Sequence, residues 1–183
     1  TAAALVAARL RGLPIGRFLD AAGPGLALGV FFCRIGCFLG GCCYGKPTDS
    51  PLAVRFPADH EGMSVLGGHA GLHPTQLYLA ASGLAISALL MALRKYRIGR
   101  PGERFAIGAT LYAASVFGVE FLRGDAGRHI PGTLSLSQVI SLGIFAIVLA
   151  LAAWRAARGE WVRSAGIGVA TALALVTLSA PTR

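Results

Sequence analysis

The run Ala21-Ala-Gly-Pro-Gly-Leu-Ala-Leu-Gly-Val-Phe-Phe-Cys33-Arg34-Ile-Gly36-Cys37-Phe38-Leu-Gly-Gly-Cys42-Cys43-Tyr44-Gly45 carries a single charged side chain, Arg34. A run this long and apolar is expected to cross a bilayer as a helix, here over about 21–38. A cation within it costs roughly 2.5–3.5 kcal/mol on insertion scales, so its retention calls for a partner. Gly36, Gly40, Gly41 and Gly45 leave the backbone open to close approach. An arginine beside accessible backbone N–H groups suits an anion such as a phosphate. The plain alternatives are that Arg34 snorkels to a membrane surface or pairs with a buried acid such as Glu120.

The rest of the chain repeats the pattern. Of 183 residues, 55% are hydrophobic and 14% charged, and mean hydropathy is +0.65. Those values exclude an ordinary soluble domain and predict an all-α polytopic membrane protein. Further spans are expected over 74–93, 105–122, 134–154 and, more weakly, 165–180, giving about five helices. Residues 1–20 read as the tail of a helix followed by a basic loop, with earlier membrane helices expected to precede Thr1. Residues 40–72 are polar and rich in Gly and Pro. They are too long for a plain turn and are expected to form a small extramembrane head, with a short strand possible over Leu52–Phe56.

The net charge of +9 does not mark a nucleic-acid binder, because the cations lie in short loops between apolar runs. The loops around 9–17, 94–104 and 155–163 hold eleven of the 17 Lys and Arg and are assigned to the cytoplasm. The head, His73, Glu120, Arg123 and Ser135 then fall on the outer, periplasmic side. Helices opening near Pro74 and Leu134 point their N-termini to that side, where free N–H groups and the helix dipole attract anions. Two arginines and two helix N-termini at one level describe a site for a phosphate or a phospholipid headgroup.

Four cysteines, at 33, 37, 42 and 43, do not match a standard zinc spacing and contain no Cys-x-x-Cys redox pair. No metal or cofactor is expected from them. They are read as small buried apolar residues or as disulfide partners, with substrate contact as the next reading. His73 is either a helix-capping residue or a functional one. Glu120 is either an ion-pair partner for Arg123 or a catalytic acid.

Four blocks, in this order, carry a family resemblance: Gly29-x-x-x-x-Arg34-Ile-Gly36-x-Phe38 through Tyr44-Gly45-Lys46-Pro-Thr; His73-Pro-Thr-Gln76-Leu-Tyr78; Phe117-x-x-Glu120-Phe-Leu-Arg123-Gly-Asp125; and Leu134-Ser-Leu-Ser-Gln138. Together they resemble the bacterial prolipoprotein diacylglyceryl transferases over about residues 20 to 150. The resemblance implies an enzyme of the inner membrane whose site faces the periplasm. It would move the diacylglyceryl group of phosphatidylglycerol onto the lipobox cysteine thiol of a prolipoprotein, without a cofactor or nucleic acid.

On that resemblance Arg34, Glu120, Arg123 and His73 are the catalytic candidates. Arg34 would bind phosphate and stabilise the leaving group, and His73 would help deprotonate the thiol. Arg34, Gly36, Tyr44, Gly45, Lys46, Gln76, Tyr78 and Gln138 are the substrate-binding candidates. The chain departs from better-known members at Cys37 and Cys42, where they carry Asn and Glu. Val116 and Leu79 stand where many members have Arg and Glu. The rival readings are a membrane thiol-redox protein working through its cysteines and an inactive lipid-binding relative.

Overall fold

The computed structural model describes residues 12–57, 71–124 and 134–158. Among the described residues four helices form a bundle: α1 (Ile15–Leu39), α2 (Thr75–Lys95), α3 (Glu103–Glu120) and α4 (Leu136–Ala157). They alternate in direction. The start of α1 meets the start of α3 and the end of α4 at one end, through Asp20, Gly102, Glu103 and Arg155. The end of α1 meets the segments before α2 and after α3 at the other. Three helices, α1, α2 and α4, are long and apolar enough to cross a membrane. The shorter α3, 18 residues, carries Glu103, Arg104 and Glu120 within its length. The expected tail at 1–11 and the expected fifth span at 165–180 lie outside the described residues.

Polarity runs opposite to that of a soluble bundle. Thr75, Gln76, Glu103, Glu120, Arg123, Ser135 and Gln138 are buried, while Phe32, Leu39, Met91, Leu136 and Ile147 are more than half exposed. Apolar side chains facing outward and polar ones facing inward are what a hydrocarbon solvent selects. Helix α1 begins at Ile15 rather than near 21, so Arg17 and Asp20 are helical. Its glycines at 25 and 29, positions that suit tight packing, face outward with no described atom near them. The close approach is made by Gly83 of α2, where a Cβ would sit 2.8 Å from the Ala27 carbonyl oxygen. Ser87 fastens the same pair by donating 2.9 Å to the Pro24 carbonyl.

At the basic end two buried carboxylates, Asp20 and Glu103, join three helices. Asp20 accepts from the backbone N–H of Gly102 at 2.8 Å and of Phe105 at 2.9 Å, so α1 caps the first turn of α3. Arg104 lies 3.4 Å from the same carboxylate, and Glu103 faces Arg155 at 3.6 Å. Arg94 and Lys95 in the last turn of α2, Arg97 and Arg100 after it and Arg158 after α4 add to the positive charge, and Arg158 stacks on the Trp154 ring at 4.0 Å. Asp20→Ala removes a cap and leaves Arg104 without its carboxylate. It is expected to cost about 2 kcal/mol or more, read by thermal unfolding in detergent. Asp20→Asn keeps an acceptor and should lose less; equal losses would contradict the capping role.

Among the described residues there is no strand. The segment 52–56 contributes one isolated bridge, Val54 with Leu72, beside the bridges Pro47–Leu72 and Gly45–Arg123. Tyr44, Phe56 and Leu72 are buried together, with Phe38 and Val54 packed against them. This small apolar cluster seats the described part of the 40–72 segment on the end of the bundle. Asp59, His60, Glu61 and His69 lie outside the described residues.

Candidate functional site

The site end is built around the chain that leaves α1. Gly40 and Gly41 close the helix with bonds to the carbonyls of Gly36 and Phe38. Gly41 and Cys43 then take left-handed backbone angles, φ 68° and 62°. A left-handed cysteine is strained by about 1–2 kcal/mol, and the turn sends Cys42 and Cys43 back over the helix end. From α2, Thr75 Oγ1 donates to the Cys43 carbonyl at 2.7 Å and Gln76 Nε2 to the Cys42 carbonyl at 2.8 Å. Gln76 is fully buried, and its Oε1 has no hydrogen-bond partner among the described residues.

Gly45 and Lys46 thread between two neighbours. Gly45 N–H donates to the His73 carbonyl at 2.9 Å, Lys46 N–H to Leu122 at 2.7 Å, and His73 N–H back to Lys46 at 3.1 Å. Gly124 N–H donates to Tyr44 at 3.2 Å. Only glycine fits here: a Cβ on Gly45 would lie 2.5 Å from the His73 Cβ and carbonyl oxygen, and one on Gly124 2.6 Å from the Gly45 oxygen. The crossing places His73, Gln76 and Arg123 around one loop. His73 Nδ1 stands 3.3 Å from the Tyr78 hydroxyl. Glu120 ends α3 at this level and Arg123 follows it, both buried.

Arg34 sits half-buried in the last turns of α1. Its guanidinium lies within interaction range of the Tyr112 hydroxyl of α3 and has Cys37 and Cys43 within electrostatic reach. Tyr112 was not among the residues singled out from the sequence. Nothing in the local pattern of α3 marks it, since its role comes from facing α1. Tyr112 also lines an open apolar cavity of about 220 Å³, bordered by Leu26 and Val30 of α1, Ile86 and Leu90 of α2, Phe105 of α3 and Ile144 of α4. Tyr112 is therefore shared between the surroundings of Arg34 and the lining of this cavity.

The other candidates separate. Tyr44 is buried in the apolar cluster, Lys46 is exposed on the rim, and Gly36 lies on the open face of α1. Gln138 accepts from Ser135 N–H at 3.0 Å, while Ser135 Oγ accepts from Gln138 N–H at 3.2 Å. That reciprocal pair is a capping box opening α4. The sulfurs of Cys37, Cys42 and Cys43 all lie within 4.8 Å of one another, although their spacing in sequence argued against a cluster. Burial, and then the Cys43 and Cys37 thiols, push the Cys42 thiol up to about 11. Cys33 is exposed and outside the group.

The sequence profile of the family described as prolipoprotein diacylglyceryl transferase matches residues 1–154. A phosphatidylglycerol–prolipoprotein diacylglyceryl transferase of Clostridium tetani is 37% identical over 135 residues, covering 74% of this chain and 51% of the relative. One from Clostridium perfringens is 39% identical over 121 residues, 66% of this chain and 45% of the relative. One from Streptomyces coelicolor is 34% identical over 147 residues, 80% and 41% of the two chains. The chain thus spans about half or less of the length of these relatives. No solved structure matched it.

Proposed function

Because this chain belongs to the prolipoprotein diacylglyceryl transferase family, we propose that it transfers the diacylglyceryl group of phosphatidylglycerol to the lipobox cysteine thiol of a prolipoprotein. The observation that carries the reading is Arg34 beside Tyr112, whose ring lines an apolar cavity. That pairing suits a lipid with an anionic head and an acyl tail.

In the reaction the thiol sulfur bonds to the glyceryl carbon as the bond from that carbon to the phosphate oxygen breaks. Glycerol phosphate leaves with the bonding pair, and the thiol proton passes to a base. Arg34 holds the phosphate and neutralises the charge that grows on it. Lys46 on the rim adds attraction for the head. His73, bonded to Tyr78, takes the thiol proton. Gln76 turns its unmatched Oε1 to a substrate hydroxyl, and Arg123 with Glu120 orients the glycerol head. Tyr112 positions Arg34.

We assign the site to the periplasmic face of a bacterial inner membrane, with about five spans and the 40–72 segment as a periplasmic head. The support is the concentration of Arg94, Lys95, Arg97, Arg100, Arg104 and Arg155 at the opposite end.

Transfer of radiolabelled glycerol from phosphatidylglycerol to a lipobox peptide in liposomes tests the reading. Wild-type protein is expected to label the peptide. Tyr112→Phe keeps the ring against the cavity but removes the hydroxyl beside Arg34. It is expected to lower transfer about 10-fold or more while the protein stays folded in detergent. A wild type that binds the lipid but labels no peptide would leave a lipid-binding relative in place of an enzyme.

A further inference from the structure

The geometry points to a soft-metal site formed by Cys37, Cys42 and Cys43, taking a monovalent d10 cation such as copper(I) in trigonal thiolate coordination. Three sulfurs bound at the usual metal–thiolate length of about 2.3 Å stand about 4 Å apart in a plane. Here they lie within 4.8 Å of one another, so small side-chain rotations complete the triangle. All three residues are half-buried, shielded yet reachable. No His, Asp or Glu joins the group among the described residues. An all-sulfur, three-donor set favours a soft ion over oxygen-seeking magnesium or calcium.

The site is organised beyond its sulfurs. Left-handed Gly41 and Cys43 fold the loop back onto the last turn of α1. Thr75 Oγ1 and Gln76 Nε2 hold the carbonyls of Cys43 and Cys42, which fixes the backbone and leaves the thiols to face each other. Such outer partners typically govern metal affinity by about 10–100-fold. Arg34 supplies the remaining requirement. Three thiolates around one monovalent ion leave a net negative charge, and the guanidinium lies within electrostatic reach of Cys37 and Cys43. On binding, the ion replaces the thiol protons, which leave to solvent, and no electron moves.

The full chain in detergent, reduced and kept free of oxygen, is titrated with copper(I) against the chromophoric chelator bathocuproine disulfonate. One ion per chain is expected, with thiolate-to-copper charge-transfer absorption in the near ultraviolet. Cys37→Ser and Cys43→Ser should each lose more than the about 10–100-fold that outer-shell changes cost, and Thr75→Val should fall within that range. Cys33→Ser, outside the group, should bind as wild type does. X-ray absorption of the wild-type complex needs no variant and should return three sulfur neighbours at about 2.3 Å.

The proposal is overturned if four reduced thiols take up no copper. It is equally overturned if Cys33→Ser loses as much as Cys37→Ser, or if nitrogen or oxygen replaces sulfur around the ion. Copper uptake is read with no lipid or peptide present, so its outcome is separate from that of the transfer assay.

Discussion

Arg34→Ala is expected to lower diacylglyceryl transfer by about 10²–10³-fold, the loss typical of removing one preorganised donor from a developing anion. Arg34 is the single charge between Ala21 and Gly45. It lies in the last turns of α1, within interaction range of Tyr112, which lines the apolar cavity. Arg34→Lys keeps the charge but not the planar fork. One ammonium cannot hold Tyr112 and also grip a phosphate through two parallel bonds, so a loss of about 10-fold or more is expected.

Stability should move the other way. A cation within an apolar helix disfavours insertion by a few kcal/mol on the order of insertion scales, so Arg34→Ala is expected to melt no lower than wild type. Reduced transfer with undiminished thermal stability separates a functional arginine from a snorkelling one. If lysine transfers as well as arginine does, bidentate phosphate binding is ruled out.

Gly45→Ala is expected to dislodge the loop over the site. The added methyl would lie 2.5 Å from both the Cβ and the carbonyl oxygen of His73, and 2.9 Å from the Leu122 oxygen. Two of those three atoms are backbone, so no side-chain rotation relieves the clash. Overpacking costs about 1–3 kcal/mol. The bonds from Gly45 to His73 and from Lys46 to Leu122 are worth about 1 kcal/mol each when lost. The four helices do not depend on this crossing, so helical circular dichroism should hold while transfer falls to background.

The direct readout is thiol exposure. In a Cys33→Ser background, maleimide labelling of Cys42 and Cys43 should rise well above that of the parent, because the loop that half-buries them has come away. Unchanged labelling with full transfer would show that the crossing tolerates a side chain. Gly124→Ala, whose Cβ would meet the Gly45 carbonyl from the other side, should reproduce the defect.

The membrane bundle and its family were legible in the chain itself. Long apolar runs need only composition to be recognised as spans, because hydrocarbon selects against charge residue by residue. Arg34 stood out for the same reason, and His73-Pro-Thr-Gln76-Leu-Tyr78 and Glu120-Phe-Leu-Arg123 entered through their resemblance to the family's blocks. Boundaries were less legible. Asp20, which looked like the end of a loop, is a helical residue capping α3 across 82 positions of sequence. Only the partner's position reveals that role.

The tertiary structure alone decided which of these residues lie together. Tyr112 has no motif, and it enters the candidate site because α3 turns it toward Arg34 and the cavity. Gln138, read as a substrate ligand, has its Oε1 engaged in capping α4. The cysteine spacing looked unlike a metal site, yet two left-handed residues fold Cys42 and Cys43 back over Cys37. Hydropathy and motifs are sums over neighbours in the chain, so they can place a span at a membrane. Contacts between residues far apart in the chain depend on the turns that bring them together, and at this site those turns rest on Gly41, Cys43 and Gly45.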